Sequence, residues 1–139
     1  MSNSKDRYPI AALRHYEDAI ILHNEHRYNN AMCHYAFAAE CAIKVFYEQM
    51  NMLSGLGHKV TEAWEGIKIC YTMMCTLSPK MGVLFGTLEL PECLFEDHPG
   101  RRYYADRMYS DEDMMKVAIF TQRLIDQIVL DMIDGNIKM

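Results

Sequence analysis

The chain has 139 residues and a mass of 16.2 kDa, and this length predicts one domain rather than two. We expect a single helical domain over residues 1–139, with a flexible N-terminus at residues 1–8. Half of the residues are hydrophobic and 24% are charged, which excludes intrinsic disorder and collagen-like repeats. The 14 basic residues are outnumbered by 19 acidic ones, and this net charge of -5 excludes a protein that coats nucleic acid with its whole surface.

The N-terminal residues lack the apolar core of a signal peptide, and no stretch approaches the ~18 uninterrupted apolar residues of a transmembrane helix. The chain contains five cysteines, Cys33, Cys41, Cys70, Cys75 and Cys93. An odd number without CxxC pairs is typical of reduced cytosolic thiols rather than of disulfides or a zinc site. We therefore expect a cytoplasmic protein with no membrane contact, no metal and no cofactor.

Apolar residues at helical spacing predict a first helix from Pro9 to about Glu25–His26. Tyr28–Asn30 then marks a turn or a second N-terminus, and a second helix is predicted from about Asn30 to Asn51. Small residues at positions 31, 36, 38, 39 and 42 would let a neighbouring helix approach closely. Because the connection is short, the two helices are expected to form an antiparallel hairpin.

The breaker cluster Ser54–Gly57 ends this hairpin, and a third helix is predicted from about Val60 to Leu77, closed by Ser78–Pro79. The apolar stretch from Lys80 to Leu94 is interrupted by glycines and is predicted to hold a short helix.

Ser110 is the predicted N-cap of a long last helix that ends at Gly135–Asn136. Three acidic residues follow Ser110 and favour the positive end of a helix dipole. Since no segment alternates with period two for long, the predicted fold class is all-α, an antiparallel four- to five-helix bundle.

The run from Arg27 to Lys44 resembles the signature hairpin of HEPN domains, the higher eukaryotes and prokaryotes nucleotide-binding family. The shared features are a tyrosine-containing turn, an alanine-rich helix, and Glu40 and Lys44 four residues apart. Gly57–Val60 resembles the Gly-His-aliphatic start of the family's third helix. Arg102–Tyr103 resembles a variant in which an Arg-Tyr segment precedes the last helix.

This resemblance implies an HEPN-like bundle that forms a homodimer, with an interface expected from the first and last helices. Many HEPN proteins are metal-free RNases of prokaryotic defence or toxin–antitoxin systems, often encoded beside a small nucleotidyltransferase. Others are non-catalytic RNA-binding or scaffold modules. The implied partners are therefore a second copy, a nucleotidyltransferase or other protein, and RNA.

The HEPN nucleases carry an Arg, four to six residues and a His near the start of the last helix. Here no His follows Arg101, Arg102 or Arg107, and His98 precedes them. The spacing occurs instead at Arg27 and His34, which are candidate catalytic residues, since Arg stabilises a phosphorane and His acts as a base. The alternative is that Arg27 lies in the turn and His34 at the polar edge of the hairpin.

Three arginines interleaved with tyrosines suit binding of phosphates and stacking of bases. The candidate residues for contact with RNA or a partner are Arg101, Arg102, Tyr103, Tyr104, Arg107, Glu40 and Lys44. The competing interpretation is structural: Arg102 pairs with Glu40 while Tyr103 packs in the core.

The leading hypothesis is a non-nucleolytic or divergent HEPN-like module that acts as a dimer with a protein or RNA partner. The alternatives are a metal-free ribonuclease with an atypical Arg/His site, and a helical interaction domain without a family relationship.

Overall fold

The computed structural model describes residues 7–49, 60–69, 75–76, 78–94, 109–135 and 137, without the side chains of residues 61 and 67–69. The helices are α1 (Tyr8–Asn24), α2 (Tyr28–Gln49), α3 (Val60–Ile69), α4 (Pro79–Thr87) and α5 (Asp111–Ile133), with a 3₁₀ turn at Glu92–Leu94. These residues contain no strand, so the predicted all-helical bundle is confirmed. The expected breaker at residues 54–57 and the ends of the second and third helices lie outside the described residues.

Helix α1 begins at Tyr8, a position assigned to the tail on sequence grounds, and Pro9 occupies its first turn as predicted. The helix ends in a sharp reversal in which His26 adopts a left-handed backbone with φ 60°. The Arg27 amide reaches back to the Leu22 carbonyl at 2.9 Å, which satisfies an end carbonyl of α1. Only three residues therefore separate α1 from α2.

Helix α2 is the centre of the bundle, because 16 of its 22 residues are buried. The alanines predicted to allow close approach are all 0% exposed: Ala31, Ala36, Ala38, Ala39 and Ala42. Helix α1 runs antiparallel to α2, since Tyr8 faces Lys44 near one end and His23 faces Tyr28 at the other. This antiparallel hairpin was predicted. The burial of α2 on nearly every side was not predicted, because an apolar stripe on one face of that helix was expected.

Two helix boundaries differ from the prediction. Helix α2 starts two residues before Asn30, since the Arg27 carbonyl already accepts a hydrogen bond from the Ala31 amide at 2.9 Å. Residues 75–76 are helical and Ser78 is not, and the pair Ser78–Pro79, predicted only to close a helix, also opens α4. The Ser78 hydroxyl accepts from the Met81 amide at 3.2 Å, and Pro79 fills the first helical position.

Helix α4 confirms the short helix expected after Lys80 and packs tightly against its neighbours. A Cβ atom at Gly82 would lie 2.6 Å from the Cys75 Sγ, so glycine permits this close approach. The buried Ser78 hydroxyl also donates to the Asp131 carboxylate of α5 at 2.8 Å. The start of α4 is thereby attached to the end of α5.

An aromatic cluster joins four of the helices in the core. Phe85 of α4 contacts Phe46 of α2 edge-on and lies 4.6 Å from Trp64 of α3, measured between ring centroids. Trp64 in turn meets Phe120 of α5 at 5.2 Å. Helix α5 begins with the predicted Ser110 cap, which forms a reciprocal capping box with Asp113.

Among the described helices, none is both long and apolar enough to cross a membrane.

Candidate functional site

Glu40 and Lys44 of α2, two of the candidate binding residues, form an ion pair with each other. The Lys44 ammonium donates to the Glu40 carboxylate at 2.7 Å, and both side chains are less than 10% exposed. Lys44 also lies 6.0 Å from the centre of the Tyr8 ring. The two charges face each other inside the bundle, which favours a structural role within the hairpin.

Arg27 and His34, the candidate catalytic pair, occupy different environments. Arg27 is exposed in the connection before α2 and is not helical, so it does not share a helical face with His34. His34 lies half-buried on α2 against α1. These positions correspond to a turn residue and a hairpin edge.

The structure brings His34 together with His15 of α1, a residue that the sequence did not single out. Their Nδ1 atoms are 3.1 Å apart, and the His15 ring also stacks on Phe37 at 5.2 Å. Burial, the facing His34 and the neighbouring Arg14 all lower the pKa of His15. Two facing imidazoles at this distance suit exchange of a proton within the hairpin.

A second polar cluster at the turn end of the hairpin was also missed. The His23 Nδ1 atom is hydrogen-bonded to the Tyr35 hydroxyl at 2.8 Å. Beside it, Tyr28 donates to the Asp111 carboxylate at 2.6 Å, which connects the start of α2 to the start of α5. Burial raises the pKa of Tyr35 to about 12, so this phenol stays protonated at neutral pH. Burial, and to a lesser extent the nearby His26, lower the pKa of His23.

Nothing in the described part of the chain groups three or more His, Cys, Asp or Glu residues in a way that would hold a metal ion. None of the described cysteines, Cys33, Cys41, Cys75 and Cys93, is in a disulfide. Burial raises the pKa of Cys41 to about 12, which makes it a poor nucleophile.

A cleft of about 520 Å³ opens between the segment after α4 and the first half of α5. Leu90, Ile119 and Phe120 supply apolar surface, and Glu89 and Glu92 add acidic groups. Among the described residues that line the cleft, Glu89, Glu92 and Asp113 outnumber the single basic residue Lys116, which does not favour a phosphate.

The five candidate residues of the basic segment, Arg101, Arg102, Tyr103, Tyr104 and Arg107, lie outside the described residues. The proposed pairing of Arg102 with Glu40 lies outside them as well.

The outer faces of α1 and α5 expose large apolar side chains. On α1 these are Ile10 and Ile21, and on α5 they are Met115, Ile119, Leu130 and Ile133. At 3.6 residues per turn, the four residues of α5 fall within about 60° of one another. We call these four residues the α5 stripe.

No protein-family model matches the chain, and neither do any curated proteins or solved structures.

Proposed function

We propose that this chain is an HEPN-like helical module that forms a homodimer and acts by binding a protein or RNA partner, without cutting RNA. The biological setting proposed is cytoplasmic, in a prokaryotic defence or toxin–antitoxin system, where a small nucleotidyltransferase is one candidate partner. The resemblance at Arg27–Lys44 suggests the family, and the all-helical bundle is compatible with it.

The observation that carries the binding role is the α5 stripe. The opposite face of α5 packs in the core, as expected for an amphipathic helix, yet the stripe leaves Met115, Ile119 and Ile133 more than half exposed. Aligned exposed apolar side chains favour contact with another protein surface. A two-fold dimer would bury the stripe against its own copy.

The absence of nuclease activity is supported by the candidate catalytic residues. Arg27 is exposed outside α2, whereas the half-buried His34 ring lies against His15, with 3.1 Å between their Nδ1 atoms. Metal-free cleavage needs a base and a cation close to the same phosphodiester.

Light scattering on purified protein tests the dimer. We expect a mass about twice 16.2 kDa at micromolar concentration. The double variant Ile119→Glu/Ile133→Glu places two carboxylates on the stripe and is expected to be monomeric with unchanged helical circular dichroism. Val83→Glu is the matched control, since Val83 is 64% exposed and lies on α4 rather than on α5. A monomeric native protein, or a dimer that persists in the double variant, would contradict this interface.

Incubation with single-stranded and structured RNA in EDTA tests the absence of cleavage. The RNA is expected to stay intact, and a gel shift lost in Arg102→Ala would identify RNA as the partner. Cleavage that His34→Ala abolishes would instead establish the alternative, a metal-free ribonuclease. A nucleotidyltransferase gene next to this one would favour the protein partner.

A further inference from the structure

The contact between His15 and His34 has an acceptable geometry in only some protonation states. The two Nδ1 atoms lie 3.1 Å apart, within hydrogen-bond distance. When both imidazoles are neutral, one Nδ1–H donates and the other Nδ1 accepts, with its proton on Nε2. When one ring is protonated, it donates and the neutral ring accepts. When both are protonated, two N–H groups point at each other and the contact cannot remain.

This contact joins the two helices of the hairpin near the middle of α1. The ring centroids are 5.3 Å apart, both residues are half-buried, and His15 also stacks on Phe37 of α2. Half-buried rings at this separation are screened by water less than surface charges are. Two positive imidazoles would therefore repel each other strongly at this position.

The charged groups around His15 act in opposite directions. Arg14 of α1 and His34 of α2 disfavour a second positive charge, whereas Asp18 of α1 and Glu40 of α2 favour it. Glu40 is already engaged with Lys44 at 2.7 Å, which reduces the net negative charge that it offers. Burial adds to the positive neighbours, so the pKa of His15 lies below 6.5.

We propose that His15 and His34 form a proton-operated clasp between α1 and α2, which holds with no proton or one proton on the pair and opens when both rings are protonated. Opening separates the middle of α1 from α2. The two helices stay connected at one end by the turn at residues 25–27.

The expected pH range follows from proton linkage. An unfolded histidine binds its proton with a pKa near 6.5, whereas His15 in the folded protein binds it only at lower pH. Between these two values the unfolded or opened state holds more protons, so stability rises with pH in that range. The clasp is thus fully effective above about pH 6.5 and is lost as the pH falls through the folded pKa of His15.

Histidine NMR titration and amide hydrogen exchange on the full chain test the clasp. In the native protein the His15 ring is expected to titrate below 6.5, and in His34→Gln its midpoint should move upward, because a facing charge has been removed. Exchange protection in α1, corrected for the intrinsic pH dependence of exchange, is expected to fall between pH 7.5 and pH 5.0. Both His15→Gln and His34→Gln should reduce that fall.

His26→Asn is the matched control, since it removes an exposed histidine at a left-handed position that Asn also accepts. This variant should keep the native pH response of α1 around His15, and any change should be confined to the end of α1 that carries His23, whose pKa His26 lowers. The clasp is overturned if α1 protection in the native protein does not change with pH. It is also overturned if the response persists in both Gln variants, because other groups such as His23 would then be responsible.

Discussion

The buried ion pair of α2 allows a quantitative test of how Glu40 and Lys44 act. Replacing Glu40 by Gln keeps the side-chain shape and removes the negative charge beside the Lys44 ammonium. At 2.7 Å and an effective dielectric constant near 20, the attraction between two unit charges is about 6 kcal/mol. Water reaching the 8% exposed Lys44 side chain recovers part of it. We therefore expect Glu40→Gln to lower the free energy of unfolding by about 3–5 kcal/mol, the usual cost of breaking a buried pair.

The double variant Glu40→Gln/Lys44→Met distinguishes the stability contributed by the ion pair from the cost of leaving one of its charges unpaired. Removing both charges eliminates the buried ammonium, so this variant should be at least about 2 kcal/mol more stable than Glu40→Gln alone. Glu112→Gln is the control, because Glu112 and Lys116 have the same four-residue spacing at 3.1 Å but lie in solvent. It should cost less than about 1 kcal/mol, because the exposed pair and the helix dipole each contribute little in solvent.

Urea unfolding at pH 7.5 and fixed protein concentration measures these differences, with the fluorescence of Trp64, the single tryptophan, as the probe. Trp64 is 4% exposed in the aromatic cluster, so its emission reports exposure of the core. Equal losses in Glu40→Gln and Glu112→Gln would refute the structural assignment of the pair. Additivity of the Glu40 and Lys44 substitutions within about 0.5 kcal/mol would refute it as well.

Three further changes test the packing. Gly82→Ala should cost about 1–3 kcal/mol in urea unfolding, because its Cβ would overlap Cys75, and a gain in stability would contradict the close approach. Tyr28→Phe should cost about 1.5 kcal/mol through loss of the hydrogen bond to the Asp111 carboxylate, and a neutral effect would show that this bond contributes nothing to stability. Burial raises the pKa of the Cys41 thiol to about 12, so at pH 8 it should resist iodoacetamide in the native protein and react in urea. Modification of the Cys41 peptide in the native protein, detected by mass spectrometry, would contradict this burial.

The features that the sequence predicts correctly depend on local signals. The Ser110 cap and the acidic residues after it identify the start of α5 without knowledge of any other helix. The start of α2 was placed two residues late, and the opening of α4 by Ser78–Pro79 was missed, because the same residues suit two structures. Asn29 and Asn30 are turn formers that also occupy a first helical turn, and a Ser-Pro pair can end one helix or begin the next.

The candidate site depends on contacts between helices, and these were harder to predict. Glu40 and Lys44 are four residues apart on one helix, so their proximity could be read directly. His15 meets His34 only because of how α1 crosses α2, and Tyr28 meets Asp111 across 83 positions of sequence. Helical spacing identifies the face of a residue but not its partner on another helix.

The central position of α2 has a consequence for synthesis of the protein. Helix α1 can cover one side of α2 as soon as the first 49 residues have left the ribosome, since the two form a local hairpin. The other side is covered only as α3, α4 and finally α5 follow, the last of them complete about 80 residues later, which takes roughly 4–16 s at ordinary elongation rates. Until α4 brings Phe85 against it, Phe46 faces water. The nascent hairpin is therefore the stage at which this chain most needs a chaperone, and substitutions that weaken the contact between α1 and α2 should reduce yield in cells before they alter the finished protein.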